Sequence, residues 1–223
     1  MKRASLLFSE ADHRRVTDAV AQAEARSSAE VVPVVANSSG RYDRAEDMAG
    51  LWFGLIALCV GWWLLQGVEL SDWGVPRPRL GLPSVLGLVL GGFVLGVVLA
   101  HLSGNLRLLF TPRREQQAEV ERAAREAFFD RRIHHTEGGS GLLVYVSLLE
   151  RMAVVLADAQ VLEKLGQPKL DALCASLVAE LRKGAYMDAL CNTIDQAGLA
   201  LAEVLPAQAQ NRNELTDALV VMD

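Results

Sequence analysis

The stretches MAGLWFGLIALCVGWWLL (Met48–Leu65) and LGLPSVLGLVLGGFVLGVVLAHL (Leu80–Leu102) contain no Asp, Glu, Lys or Arg. A helix rises about 1.5 Å per residue, so about 20 apolar residues cross the hydrocarbon core of a bilayer. The connector, residues 66–79, is too short for a domain and carries the glycines and prolines typical of a turn. We therefore predict a transmembrane helical hairpin over residues 48–104, with spans over about residues 48–66 and 81–102.

Tryptophans and arginines near the two spans indicate an orientation. Trp52 lies near one end of the first span, and Trp62, Trp63 and Trp73 lie near its other end, as expected for residues enriched at both membrane surfaces. Cytoplasmic loops carry an excess of Arg and Lys. The arginines on the side of the chain termini are Arg41, Arg44, Arg107, Arg113 and Arg114, whereas the connector has Arg77 and Arg79. Both termini and the soluble segments are therefore predicted to be cytoplasmic.

Three G-x-x-x-G pairs lie in the apolar stretches: Gly50 and Gly54, Gly87 and Gly91, and Gly92 and Gly96. Such pairs let membrane helices approach closely. They favour packing of the two spans on each other, and a dedicated oligomerisation face is the alternative. Because neither span contains a charged residue, a pump or transporter is disfavoured, and a pore built from several hairpins is the weakest hypothesis.

Composition limits the classes of partner. The chain has 51% hydrophobic and 22% charged residues and a formal net charge of -5. It is thus too charged for a wholly membrane-embedded bundle and too apolar to be disordered. No basic stripe is present that could follow phosphates, so nucleic acid is not expected as a partner. The three cysteines form no C-x-x-C motif, which suits a reducing compartment.

The flanking segments have the pattern of a soluble domain. Glu30–Ala36 is rich in β-branched residues and predicts a strand, in which Pro33 favours an edge position or a bulge. Two apolar runs around the polar pair Glu150-Arg151 predict a β-hairpin. Helical spacing with capping residues predicts helices over about residues 9–26, 112–132, 168–184 and 189–205. Residues 206–223 are predicted to be a loose tail.

The first segment has only one strand, which cannot satisfy its own backbone hydrogen bonds. This strand must pair with the later hairpin. Residues 1–47 and 105–205 are therefore predicted to be two parts of one α/β domain, with helices covering a small sheet, interrupted by the transmembrane hairpin.

Three stretches carry a resemblance to a known family: SSAEVVPVVA (27–36), GGSGLLVYVSLLERMAVVLADAQVLEKL (138–165) and LRKGAYMDALCNTIDQAGLAL (181–201). In their order and in their pattern of strands and helices they resemble the TPM domain family. The resemblance is closest to a bacterial subgroup of membrane proteins in which a hydrophobic hairpin interrupts the domain after its first strand. The resemblance implies a three-layer α/β/α sandwich with a sheet of about four strands. It also implies location in the bacterial inner membrane.

Candidate site residues are few. Asp158 follows an apolar strand, and strand ends in α/β sheets commonly host ligands, although an aspartate there also caps helices. Glu30, Glu150 and Arg151 are its possible neighbours, and Glu150-Arg151 is also a plausible hairpin turn. His134, followed by His135, Thr136 and Glu137, could bind a metal or lie in a solvated loop. The candidates are thus Asp158, Glu30 and Arg151 for catalysis, and Asp158, Glu150 and His134 for a metal.

Two functions are expected from these features. The anchor, together with the lack of a P-loop, G-x-S-x-G or H-E-x-x-H motif, favours an interaction or regulatory module on a membrane complex. Its partners would be the bilayer and another membrane protein or a second copy. The resemblance implies the alternative, a phosphatase that acts on phosphate esters with a divalent cation such as calcium.

Overall fold

The computed structural model describes residues 8–65, 67–70, 73–74, 76–78, 80–136, 140–207, 215 and 218–222. The chain divides into two compact units, residues 41–113 and residues 2–40 with 114–223. The helices are α1 (Glu10–Glu24), α2 (Asp43–Leu65), α3 (Leu82–Leu102), α4 (Gly104–Phe110), α5 (Arg113–Asp130), α6 (Ala159–Leu165), α7 (Gln167–Leu181) and α8 (Tyr186–Val204). The strands are β1 (Glu30–Ala36), β2 (Val68–Leu70), β3 (Pro76–Pro78), β4 (Gly141–Ser147), β5 (Met152–Ala157) and β6 (Val220–Met222).

A four-stranded sheet with the order β5-β4-β1-β6 organises the larger unit. β1 runs parallel to β4 and β6, whereas β5 runs antiparallel to β4. The predicted mixed α/β class and four-stranded sheet are therefore confirmed. The prediction of a loose C-terminal tail is wrong for Val220–Met222, because these residues pair with Val34–Ala36 and form the fourth strand.

The prediction that Pro33 marks an edge strand or a bulge is also wrong, since β1 lies between β4 and β6 and pairs continuously with β4. Alternate residues of a strand direct their backbone groups to opposite neighbours. The Glu30 amide donates to Ser140, just before β4, and the Asn37 amide donates to Met222 of β6. Because residues 33 and 37 are an even number of positions apart, the backbone nitrogen of Pro33 faces β6, as that of Asn37 does. Because the described residues of β6 pair with Val34–Ala36, the missing donor of Pro33 faces the β6 side just before this pairing begins.

Helix ends in this unit follow from local sequence. The Asp12 amide donates to Ser9 Oγ at 3.2 Å, and the Ser9 amide donates to Asp12 Oδ2 at 3.0 Å, which makes a capping box at the start of α1. The Ser9 amide and the Ser9 hydroxyl, which donates to Oδ2 at 2.8 Å, lower the pKa of the Asp12 carboxyl. Gly184, beyond the end of α7, has φ +84°, the left-handed conformation that glycine commonly adopts after a helix.

Both faces of the sheet are packed with apolar side chains. Successive residues of a strand point to opposite faces, so Val31 and Val35 join one cluster while Val32 and Val34 join another. The first cluster is completed by residues of α1, α6, α7 and α8, among them Val16, Val20, Val161, Leu177, Ile194 and Leu201. The second is completed by α5 and its neighbourhood, among them Val120, Ala124, Phe128 and Ile133.

The smaller unit contains two helices, α2 and α3, that are long and apolar enough to cross a membrane. Only 22% and 17% of their most apolar stretches are buried, whereas the core helix of a soluble protein is buried all round. Their large side chains face outward, including Ile56, Trp63, Leu90 and Val94.

Glycines allow α2 and α3 to approach closely. An added Cβ would lie 2.8 Å from the Ala49 carbonyl oxygen at Gly96, and 2.7 Å from an α2 carbonyl oxygen at Gly92. Only glycine fits such a contact, so the predicted packing of the spans on each other is confirmed at these positions. An added Cβ at Gly87 or Gly91 would meet no atom within 4 Å in the described residues.

Arg107 of α4 connects the neighbouring ends of α2 and α3. Its Nε lies 3.2 Å from Oε1 of Glu46, in the first turn of α2. The guanidinium also donates to the Ala100 carbonyl at 3.1 Å and the His101 carbonyl at 2.6 Å. The last carbonyls of a helix have no partner within it, and a cation there is favourable. Arg107, counted above as a flanking charge, thus also joins the two apolar helices.

Candidate functional site

A network of hydroxyls and one carboxylate lies at the carboxyl ends of the parallel strands β1 and β4. The Glu150 carboxylate, in the turn between β4 and β5, accepts the Ser39 amide at 2.9 Å and the Ser147 hydroxyl. Ser39 Oγ donates to Ser147 Oγ at 2.8 Å and lies 3.0 Å from the Tyr145 hydroxyl. Glu150 is only 7% exposed and Ser147 is completely buried, so groups of the protein solvate this carboxylate in place of water.

Tyr145 closes the buried side of this network. Burial raises the pKa of its hydroxyl, the bond with Ser39 lowers it, and the charge of Glu150 raises it again. The net shift is upward, so the hydroxyl stays protonated at neutral pH. Because donors and acceptors are already paired with one another, the network holds Ser39 and its loop, residues 37–40, against the β4–β5 turn.

Arg151 lies next to Glu150 in this turn and has φ +54°. A non-glycine residue in the left-handed region is strained by about 1 kcal/mol. Replacement by glycine is therefore expected to raise the free energy of unfolding by up to about 1 kcal/mol. Urea denaturation followed by circular dichroism measures this change, and a less stable variant would show that the arginine side chain contributes more than the strain costs.

Asp158 lies at the opposite end of the strands from Glu150, directly after β5. It is the N-cap of α6: its Oδ1 accepts the Ala159 amide at 2.7 Å, and its own amide donates to Gly141 at 2.8 Å. Its Oδ2 is buried and has no hydrogen-bond partner in the described residues. One carboxylate oxygen thus acts as the helix cap, as the capping alternative predicts.

Glu30 begins β1 at the same edge as Asp158. Glu30 is only 3% exposed, and its Oε2 accepts a hydrogen bond from the Leu215 amide at 3.3 Å. This bond attaches the segment that precedes β6 to the start of β1. Glu30 is therefore part of the contact that brings the C-terminal segment to the sheet.

The structure separates the predicted catalytic and metal candidates. Because β5 is antiparallel to β4, Asp158 lies with Glu30 at the amino ends of β1 and β4, whereas Glu150 and Arg151 lie at their carboxyl ends. A seven-residue strand such as β4 is about 20 Å long. Asp158 thus cannot share a ligand with Glu150 or Arg151.

His134 lies in a single 3₁₀ turn, Ile133–His135, after α5. Its ring is 5.0 Å from the Phe129 ring and 4.6 Å from the His135 ring, and its buried Nδ1 has no partner in this part of the structure. Glu137 of the predicted polar cluster lies outside the described residues. Within the described ranges no three His, Cys, Asp or Glu side chains are grouped as metal ligands.

The hydroxyl network was missed from the sequence. Ser39, Tyr145 and Ser147 were not singled out, because serines after a strand usually indicate a turn and a tyrosine in an apolar run usually indicates a core residue. The signal that could have identified these residues is the alternation of side chains along a strand. Tyr145 and Ser147 are two positions apart and share one face of β4, at the end that precedes Glu150.

Comparisons with known proteins support the fold. No protein-family model and no curated protein matches the chain. The chain is similar to the NMR structure of BA42 protein from the psychrophilic bacterium Bizionia argentinensis, with a TM-score of 0.58 and 14% sequence identity over 99% of each chain. At this level of identity the similarity concerns the fold alone.

Proposed function

We propose that this protein is an integral protein of the bacterial inner membrane, in which the α2–α3 hairpin anchors a TPM-like α/β domain. The domain acts as an interaction or regulatory module on a membrane complex, in its assembly, maintenance or modulation. Its partners are the lipid bilayer and another membrane protein or a second copy. The outward-facing apolar surface of α2 and α3 is the observation that carries this proposal.

That surface supports insertion into lipid. Ile56 is 53%, Leu90 62% and Val94 59% exposed, at positions spread along both helices. Soluble proteins rarely expose continuous apolar patches larger than a few hundred Å², and a bilayer would remove these side chains from water. The arginine distribution favours cytoplasmic termini. The apolar clusters on the two sheet faces support a three-layer α/β/α arrangement of the domain.

Membrane fractionation tests the anchor. The protein is expected to remain in the membrane pellet after alkaline carbonate extraction and to enter solution only with detergent, because both helices are inserted. Reporter fusions at each terminus should indicate a cytoplasmic location. Recovery of the untreated chain in the aqueous supernatant would contradict the proposal.

Affinity capture tests the regulatory role. The full-length protein, extracted in mild detergent, should retain one reproducible membrane protein or a second copy of itself, identified by mass spectrometry. A chain with the hairpin intact and an unrelated soluble domain is the matched control. Absence of a companion specific to the α/β domain would contradict the role while leaving the anchor untouched.

A phosphatase is the second candidate, and the unpartnered Asp158 Oδ2 is the observation that favours it. If Asp158 takes part in the reaction, Asp158→Asn is expected to lower kcat/KM for phosphate esters by about a hundredfold or more, because its charge is lost. The assay uses a phosphate-ester panel with calcium or magnesium, and Asp171→Asn on α7 is the control. Equal activity of parent and Asp158→Asn would remove this candidate at that residue.

A further inference from the structure

An exposed aromatic ring lies among basic side chains where α5 ends. Phe129 is 60% exposed, and its ring lies 6.0 Å from that of the buried Phe128 in an edge-to-face arrangement. His134 lies against its other side at 5.0 Å. The ring is therefore held in one orientation although most of its surface faces solvent. We call Phe129, Arg131, Arg132, His134 and His135 the α5-end patch.

The arginines of the patch are available for a partner. Arg131 and Arg132 are exposed, and neither forms an ion pair with any residue that the structure describes. By contrast, Arg122 and Arg125 earlier in α5 pair with acidic residues of the same helix. Asp130 is the one acidic residue within the stretch 129–135, and the chain as a whole carries a net charge of -5. The patch is thus locally basic on an acidic protein.

The backbone fixes this arrangement. Arg132 has φ +56°, a conformation that residues other than glycine rarely adopt and that often marks a functional constraint. The left-handed turn directs Ile133 into the core, where it is completely buried. It also brings His134 back against Phe129. A glycine would allow the same turn without strain.

We infer that the α5-end patch is the surface by which this domain binds an acidic segment of a partner protein. Arginine and exposed aromatic residues are the types enriched where protein interfaces have their energetically dominant contacts. A guanidinium binds a carboxylate through two parallel hydrogen bonds, and Phe129 offers a rigid apolar surface for a neighbouring side chain. The acidic segment is favoured by charge complementarity to Arg131 and Arg132.

A protein segment explains more of the patch than an anionic lipid surface does. A lipid surface attracts basic residues without requiring an oriented ring, whereas Phe129 is positioned by contacts on two sides. The inference deepens the proposed function and rests on it in assigning a protein partner to this domain.

Peptide binding to the full-length protein in neutral detergent micelles tests the inference. The probe is a short fluorescein-labelled peptide of Glu and Asp residues around one Trp, and the same peptide with Lys in place of the acidic residues is its control. The patch variant is Phe129→Ser with Arg131→Ser. The matched control variant is Arg182→Ser with Lys183→Ser, which removes an exposed basic pair at the end of α7. Circular dichroism establishes whether each variant is folded. If the double patch variant is not folded, Arg131→Ser alone is used in its place.

Fluorescence anisotropy is expected to show binding of the acidic peptide only, weakened about tenfold or more by the patch variant and unchanged by the control variant. Equal weakening in both variants, or no binding of the acidic peptide, would overturn the inference. Binding confined to vesicles of phosphatidylcholine with phosphatidylserine would assign the patch to lipid instead. A captured membrane partner that the patch variant still retains would overturn the inference and leave the proposed function intact.

Discussion

Replacing Gly96 by valine is expected to prevent α2 and α3 from packing in their present geometry. An added Cβ would lie 2.8 Å from the Ala49 carbonyl oxygen and 2.9 Å from the Gly50 Cα, and backbone atoms cannot move away as a flexible side chain can. We expect a loss of about 3 kcal/mol or more, which corresponds to a fall in Tm of roughly 6–12 °C for a chain of this size.

The measurement is thermal unfolding of the detergent-solubilised protein followed by tryptophan fluorescence, because Trp52, Trp62 and Trp63 all lie in α2. Gly91→Val is the matched control: it adds the same side chain to the same helix at a position where an added Cβ has no described atom within 4 Å. It should leave Tm within about 2 °C of the parent. Equal destabilisation by both substitutions would indicate a change of helix propensity and contradict the packing contact.

Replacing Glu150 by alanine is expected to have the largest effect in the α/β domain. The carboxylate accepts the Ser39 amide and the Ser147 hydroxyl in a buried setting. Removing it leaves donors without acceptors, which costs about 2–4 kcal/mol. Urea denaturation should show this loss, and hydrogen exchange should show faster exchange at the Ser39 amide, because that amide loses its acceptor.

Glu150→Gln is the control for this prediction. The amide retains an acceptor for the Ser39 N–H, so we expect a smaller loss of about 1 kcal/mol. A Glu150→Ala protein as stable as the parent, with the Ser39 amide still protected, would show that water replaces the carboxylate and that the network does not hold the loop.

Local sequence was sufficient for most elements of the fold. β1 and the β4–β5 hairpin were recognised because β-branched and apolar residues fill short runs between turn residues. The helices were recognised because apolar residues recur at helical spacing between capping residues, as at Ser9 and Gly184. β6 was missed, since three residues of strand at the end of a polar segment have no distinguishing pattern.

The candidate site was less accessible. Asp158 was selected because it follows a strand. The end of the sheet at which a strand finishes depends on its direction, however, and β5 runs antiparallel to β4. The end of β5 therefore lies beside the beginning of β4. Glu30 lies at the same end of the strands as Asp158, whereas Glu150 and Arg151 lie at the other end. Ser39, which donates to Glu150, lies more than 100 positions away in the sequence, a pairing that no local pattern contains.

The sequence alone determined that two long apolar helices interrupt a mixed α/β domain, because hydrophobic length and periodicity are local properties that survive in any context. Tertiary packing fixes the order β5-β4-β1-β6, the end of the strands at which each charged residue lies, and the glycines at which α2 and α3 meet. The physical reason is that strand pairing and helix contact join distant parts of the chain. Several such pairings satisfy the same local pattern, and the packed core selects among them.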